Sequence, residues 1–407
     1  MSKTDVIVCG GGMVGLPLGL ALARGGLKTA IADGVAPAQS LDAAFDGRVS
    51  ALSYSSVRMM QALDVWPHLE NHAQPIREIL VSDGAIGRTA SPFSMHFDSA
   101  ELGGTSLGHI AENRYIRTAL HAAVTAQKNL TLIAPASVKK LDVGSGHVTA
   151  QLSNGETVEA ALAVAADGRE SLLRDAQGIN VVGWAYPQTG IVATVEHERP
   201  HNGVAYEHFL PSGPFAILPM TGNRSSLVWT EAKTKAAAML ALDDDAFNAE
   251  VAVRFGAHLG ATNIIGPRWS YPLSFHLAHS YIAPRFALAG DSAHGIHPIA
   301  GQGLNLGLKD VAALAETLLD AARLGRDIGG VDVLGRYQRW RRFDSVTLAA
   351  GTDALNRLFS NDIAPIRQLR DLGLGVVDAI GPARRFFMRH AGGDVGKLPR
   401  LLKGEAA

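Results

Sequence analysis

Cysteine is nearly absent: Cys9 is the only one in 407 residues. An internal disulfide needs two, so a disulfide-stapled scaffold is excluded and a reducing compartment is expected. Within its apolar run Cys9 reads as a small core residue rather than a reactive thiol. Long apolar stretches are missing as well. Leu16 to Ala23 and Ala160 to Ala166 fall far short of the roughly 18 residues that a bilayer-spanning helix needs. The N-terminus has no basic region followed by an apolar block and a cleavage site, which makes Met1 the expected start and the cytoplasm the expected location. A charge excess is lacking too. With 37 Lys+Arg against 38 Asp+Glu, the formal net charge of −1 excludes nucleic-acid binding by bulk electrostatics. Hydrophobic residues at 47% and charged ones at 18% exclude a disordered chain. His294 and His297 have no third ligand at workable spacing, so no metal is expected.

Glycine, by contrast, is abundant, with 44 residues gathered in a few clusters. Asp5 to Cys9, DVIVC, is apolar enough for a strand buried on both faces. Gly10, Gly11, Gly12 and Gly15 follow, then the apolar Leu16 to Ala23 helix with Pro17 in its first turn, then a strand from Lys28 to Ala32 ending at Asp33. Gly10, Gly12 and Gly15 make GxGxxG inside a βαβ unit, the context in which the motif binds a dinucleotide pyrophosphate at a helix N-terminus. Asp33 is placed for a ribose hydroxyl and repels a 2′-phosphate, which excludes NADP from this site and leaves NAD or FAD.

A second glycine-rich stretch, FALAGDSAHGIHPIAGQGLNLGLKD over 286–310, chooses between them. A buried strand ends at Gly290-Asp291, and a helix starts after Gly301-Gln302-Gly303. Asp291 suits a ribitol hydroxyl, and the helix N-terminus suits the pyrimidine end of a flavin. A simple NAD dehydrogenase has no use for this second site.

Between these stretches, Asn113 to Val124 has helical spacing, and strands are expected at Leu130–Ile133, Val148–Leu152 and Leu162–Ala166. From about 190 to 230 short alternating runs separated by Pro and Gly turns predict an antiparallel sheet, covered by a helix carrying Phe247, Val251, Phe255 and Leu259. The expected architecture is α/β. A Rossmann-like nucleotide domain spans 1–75, 100–185 and 275–334, and an antiparallel-sheet substrate domain spans 76–99 and 186–274. A C-terminal helical segment covers 335–407. That segment holds eleven Arg and two Lys against six Asp and one Glu, a local +6. Two readings stay open for it: a helical tail packed on the body with a solvated Arg face, or a surface for a membrane or partner.

The GxGxxG turn, the Asp167-Gly168-Arg169-Glu170-Ser171-Leu172-Leu173-Arg174 stretch and the GDxAHxxxPxxGQGxN run together resemble FAD-dependent aromatic hydroxylases, the single-component flavoprotein monooxygenases. Within them, His297 to Gly307 with Asp310, Gly47 to Leu52, Ala205 to Pro219 and Thr352 to Phe359 look like the ubiquinone-biosynthesis branch. The resemblance covers nearly the whole chain. It implies that Gly10, Gly12 and Gly15 hold the FAD pyrophosphate and Asp33 the adenosine ribose, where most relatives carry Glu. It places Arg48 and Arg114 near the cofactor, Asp167 and Gly168 beside FAD and its reductant, and Asp291 on the ribitol. Pro298, Gly301, Gln302, Gly303, Leu304 and Asn305 would line the isoalloxazine.

The implied activity is ring hydroxylation of a polyprenylated phenol or benzoquinol through a flavin C4a-hydroperoxide, consuming O₂ and NAD(P)H. Alternatives are a sister hydroxylase acting on a soluble aromatic acid, and a non-catalytic scaffold subunit. Partners would be the membrane surface or other ubiquinone-biosynthesis proteins; oligomeric state stays open. No catalytic residue is assigned. Tyr206, His208 and Trp229, with Pro298, are candidates to line the pocket, ordinary sheet packing being the competing reading for the first three.

Overall fold

The structure is a computed structural model; it describes residues 2–407 except 42–43, 85–93, 105, 361–379, 383, 386–387, 389–391 and 394–395. The nucleotide sheet is built from the strands that the apolar runs predict. Along its main path the order is Ile282–Ala283, Phe286–Leu288, Thr157–Ala165, Ser2–Cys9, Thr29–Ala32 and Leu130–Ile133, with all neighbours on this path beyond the first pair parallel, while Val148–Leu152 and Val138–Val143 extend it antiparallel from the first half of Thr157–Ala165. Parallel strands need both faces covered, which explains why Val6, Ile7, Val8, Leu162 and Ala163 are wholly inaccessible. The helices Gly15–Arg24, Asn113–Ala126 and Gln302–Arg323 supply the cover.

The second sheet has eight strands and is antiparallel apart from one pair. Its central order is Thr262–Ala278, Val181–His197, Arg224–Ala232, Gly213–Met220, Val204–Leu210 and Glu78–Asp83. Its two long strands are already paired at Val181 with Ala278, so the sheet extends past the divisions expected at 186 and 274. Side-chain alternation gives it two unlike faces. On one, Ile191, Phe215, Leu227 and Trp229 pack under the helix Asp244–Phe255 through Phe247, Val251 and Phe255. The other, carrying Ala205, Phe209, Leu218 and Met220, packs toward Val49 and Ala51 of the strand Val49–Ser53 and toward Phe359.

The helix Val331–Phe359 begins before the division expected at 335. Much of the basic excess beyond it is matched by body carboxylates: Arg336 and Arg400 both reach Asp320, and Arg384 reaches Glu101. Leu355 and Leu358 lie exposed, Phe359 and Met388 are buried, and Phe386 and Phe387 fall outside the described residues. Among the described residues no helix is long and apolar enough to cross a membrane.

Candidate active site

Three loops meet because three strands end together. Cys9 pairs with Ala165, and Ala165 pairs with Leu288, so Gly10, Asp167-Gly168 and Gly290-Asp291 leave the sheet side by side. Ala32 pairs with Cys9 on the far side and delivers Asp33. Ligands in open α/β sheets bind at this carboxyl end.

The glycines divide by what surrounds them. A Cβ on Gly10 (φ +112°) would overlap the Ala166 carbonyl, and one on Gly15 would overlap the Gly10 carbonyl oxygen. These two serve the turn itself. Gly12, Gly168 and Gly303, one from each motif, have no heavy atom within 4 Å of where a Cβ would stand. They open onto space. Val14 joins the first and third motifs: its methyls stand 3.0 Å from the Cβ position of Gly290 and 2.8 Å from that of Gly307. Helix Gly15–Arg24 follows Val14 and helix Gln302–Arg323 follows Gly301, neither with a side-chain cap bond, so first-turn N–H groups remain for an anion or a carbonyl oxygen.

Asp33 accepts from Gly11 N at 3.1 Å and Val35 N at 3.0 Å, which fixes its rotamer and leaves lone pairs for a hydroxyl donor. Asp291 is exposed at the end of its strand. Arg174 donates to the carbonyls of Arg169 (3.0 Å) and Ser292 (3.3 Å), tying the middle motif to the last. Behind Gly290, Asp310 is fully buried. It accepts from Gly290 N (3.0 Å), His294 Nε2 (2.5 Å) and Arg341 Nε (2.7 Å). Burial alone would raise its carboxyl, but His294 and Arg341 outweigh that and hold it below the usual range.

Several expected site residues turn out to hold the frame. Asn305 Nδ2 donates to Ala51 O at 2.9 Å, while its Oδ1 accepts from Ser53 N (2.9 Å) and Ser56 Oγ (2.8 Å). That side chain is occupied in locking the strand Val49–Ser53, so only its backbone is left for a cofactor. Arg48 pairs with Asp46 at 2.7 Å and lies over Trp269; Arg114 pairs with Glu112 at 2.7 Å, and Glu112 also holds Arg224 at 3.1 Å. Asn113 N donates to Arg48 O at 2.9 Å, which brings the two arginines into one neighbourhood. Pro298 follows His297, whose two ring nitrogens are buried without a hydrogen-bond partner. The His297 ring meets Tyr186 edge-on at 5.1 Å, and Tyr186 donates to Asp353 at 2.8 Å. Burial pushes the His297 imidazole down to about 4, so it is neutral at pH 7. Among the described residues no three His, Cys, Asp or Glu are placed to hold a metal.

Tyr206, His208 and Trp229 do not join this group. Ile191, Trp229, Phe215 and His208 form one row across the second sheet, on the face that the helix Asp244–Phe255 covers. Trp229 packs on Phe247 with Arg254 over its ring, His208 bonds Ser82 Oγ at 2.7 Å, and Tyr206 packs on His258. The pocket expectation for these three is therefore corrected: a strand's alternation sends them to the back. The opposite row is Val192, Val228, Ala216, Glu207 and Val81. Glu207 was not singled out in the sequence, because period-2 alternation separates it from Tyr206 without saying which of them faces inward. Arg341, the partner of Asp310, also went unread, since nothing local marks a contact 31 residues away.

Comparison with known proteins agrees with this geometry. Residues 3–343 match the model of a family described as an FAD binding domain. A ubiquinone hydroxylase of Rhodospirillum rubrum is 48% identical over 404 residues, which is 98% of this chain and 92% of that protein. A 3-demethoxyubiquinol 3-hydroxylase of Escherichia coli is 33% identical, over 95% of this chain and 98% of the relative. Among solved structures, the p-nitrophenol 4-monooxygenase of Pseudomonas putida superposes with a TM-score of 0.79 at 17% identity, covering 98% of this chain and all of that one, a likeness of fold.

Proposed function

Because the chain belongs to the FAD-binding-domain family, and within it to the FAD-dependent hydroxylases of ubiquinone biosynthesis, we propose that it hydroxylates the aromatic ring of a polyprenylated phenol or benzoquinol. O₂ and a nicotinamide reductant are consumed. The observation that carries this reading is Val14 seated against Gly290 and Gly307, which lets one extended FAD touch both glycine-rich turns. Gly10, Gly12 and Gly15 with the helix N-terminus receive the pyrophosphate, Asp33 a ribose hydroxyl and Asp291 the ribitol. Pro298 and the turn Gly301 to Leu304 form the wall against the ring system. FAD held there would supply the activation of O₂ for ring hydroxylation. The protein binds and orients the phenol and keeps water out.

The sheet face turned toward Val49 and Ala51 favours a hydrocarbon-rich substrate over an aromatic acid. Its central rows hold Val192, Val228, Ala216, Leu218 and Phe209 with one carboxylate, and the cations at its margins, Arg224 and Arg48, are already paired with Glu112 and Asp46. A polyprenyl tail has to come from lipid, and the outer side of the helix Val331–Phe359 suits an anionic lipid surface. Phe343 is 74% exposed there, with Val346, Leu355 and Leu358, beside Arg339, Arg342 and Arg357.

The test is direct. Purified protein carrying FAD, seen by its absorbance near 450 nm, is given NADH or NADPH and either a farnesylated phenol or 4-hydroxybenzoate, and products are weighed by mass spectrometry. Hydroxylation of the prenylated phenol alone is expected. Turnover of the benzoate alone would replace this reading with that of a soluble-acid hydroxylase.

A further inference from the structure

The sheet face nearest the glycine-rich turns holds one acidic side chain for which the fold gives no use. Glu207 lies in the row Val192, Val228, Ala216, Glu207, Val81. The same face reaches the flavin wall by two routes. Ala205 and Leu218 cluster with Val49 and Ala51; Ala51 in turn bonds Asn305 at 2.9 Å and stands 3.2 Å from the Cβ position of Gly301. On the other side Phe209 packs against Phe359 with ring centres 4.2 Å apart, at the end of the helix whose Asp353 holds Tyr186 beside His297. By register Glu207 thus lies on the sheet face that turns toward the strand Val49–Ser53, which Asn305 fastens to the turn at 301–305.

Its surroundings mark it as a ligand-directed group. The carboxyl is enclosed by protein yet keeps some accessible surface, as a side chain lining an internal space does. Among the described residues it makes no side-chain hydrogen bond and no ion pair. The other titratable groups on this face are Asp83, two residues along the row pattern, Tyr271, packed against Gly190, and at the end of the face Glu196 and Arg224; the one cation among them, Arg224, is held by Glu112 at 3.1 Å and not by Glu207. Two polar atoms of the same face, Ser226 Oγ and Thr230 Oγ1, are buried without partners. A carboxyl held largely out of bulk water with no protein partner is costly, and one that still opens onto space can be completed by a ligand.

We propose that Glu207 is the base that takes the substrate's phenolic proton. This rests on the hydroxylase reading above and deepens it. The phenolic O–H bond breaks and an O–H bond forms on the carboxylate, while the electron pair stays on the ring oxygen. Ring density rises at the ortho and para carbons, where the electrophilic oxygen arrives. A C–O bond forms there, the attacked carbon passes its own hydrogen to water as a proton while the C–H pair restores aromaticity, and Glu207 gives its proton back to the ring oxygen, unchanged overall. Burial, with no cation to oppose it, pushes this carboxyl up to about 7, close to where a general base works best at neutral pH.

Two measurements on the FAD-loaded enzyme test the assignment, using 2-farnesylphenol and its methyl ether. Glu207→Gln should keep its yellow absorbance and lower the kcat of hydroxylation on the order of 10²-fold. The wild-type rate should rise with pH around a midpoint of about 7, the Gln variant should lose that limb, and Glu207→Asp should recover part of the rate. Without reductant, tryptophan quenching should show wild type binding the phenol more tightly than the ether, a preference absent in Glu207→Gln. A Gln variant with the wild-type rate and pH limb, or with the preference for phenol intact, overturns the proposal. If wild type prefers the phenol but hydroxylates nothing, the function reading fails while the contact stands.

Discussion

Arg341 and Asp310 face each other in the interior, Nε to Oδ1 at 2.7 Å, with neither side chain more than 2% exposed. The same Asp310 holds the N–H of Gly290, so a helix from the C-terminal part of the chain braces the turn that would receive the ribitol. Cutting the chain before Gly335 would therefore remove a piece of the nucleotide site as well as any membrane contact.

Breaking that pair by Arg341→Leu leaves a buried carboxylate without its cation. A loss of about 3–5 kcal/mol is expected, with release of FAD. Urea unfolding followed at 222 nm and flavin absorbance followed in parallel measure both; full retention of stability and colour would contradict the bracing role.

Gly12 and Gly15 should separate folding from binding. Gly15→Ala forces a Cβ into the Gly10 carbonyl and should yield little folded protein. Gly12→Ala meets no protein atom, so its unfolding midpoint should stay at the wild-type value while FAD affinity falls about tenfold or more, roughly 1.4 kcal/mol. Fluorescence titration of apoprotein with FAD reads the difference.

Acid should weaken the fold through His297. Its folded pKa, about 4, lies below the unfolded value of about 6.5. Between those limits the unfolded chain binds the extra proton, so stability is complete above the upper limit and declines as pH falls toward the lower one. The full effect is on the order of 3 kcal/mol. His297→Leu should remove that part of the slope of unfolding free energy between pH 6.5 and 4, and an unchanged slope would show that the imidazole stays protonated in the fold. Asp310 adds its own term at lower pH. A carboxyl held below its usual range stabilises at neutral pH and loses that contribution as pH drops through its folded value.

Lipid contact should depend on the outer face of the helix Val331–Phe359. Phe343→Ser combined with Leu358→Ser removes two exposed apolar side chains and should cut sedimentation with anionic vesicles several-fold, leaving FAD content unchanged. Equal sedimentation of variant and wild type would move the contact elsewhere.

The nucleotide-binding half of the molecule was legible in the residues themselves. A short β-branched apolar run suits a strand buried on both faces, and glycine is needed where a turn brings backbone against backbone or leaves room for a ligand, so DVIVC followed by Gly10, Gly12 and Gly15 carries its meaning within fifteen residues. The same holds for the strand ending at Gly290 and for the βαβ order that sets Asp33 beside them. Which face of the second sheet looks inward was decided only in three dimensions. Alternation puts Tyr206 and Glu207 on opposite sides, but the helix Asp244–Phe255 had to settle over Trp229 and Phe215 before the side carrying Glu207 became the inner one. Arg341 reaching Asp310, and Asn305 being used up by Ala51 and Ser53, likewise belong to the folded molecule. Contacts between distant segments follow from how whole elements pack, and no local pattern encodes them.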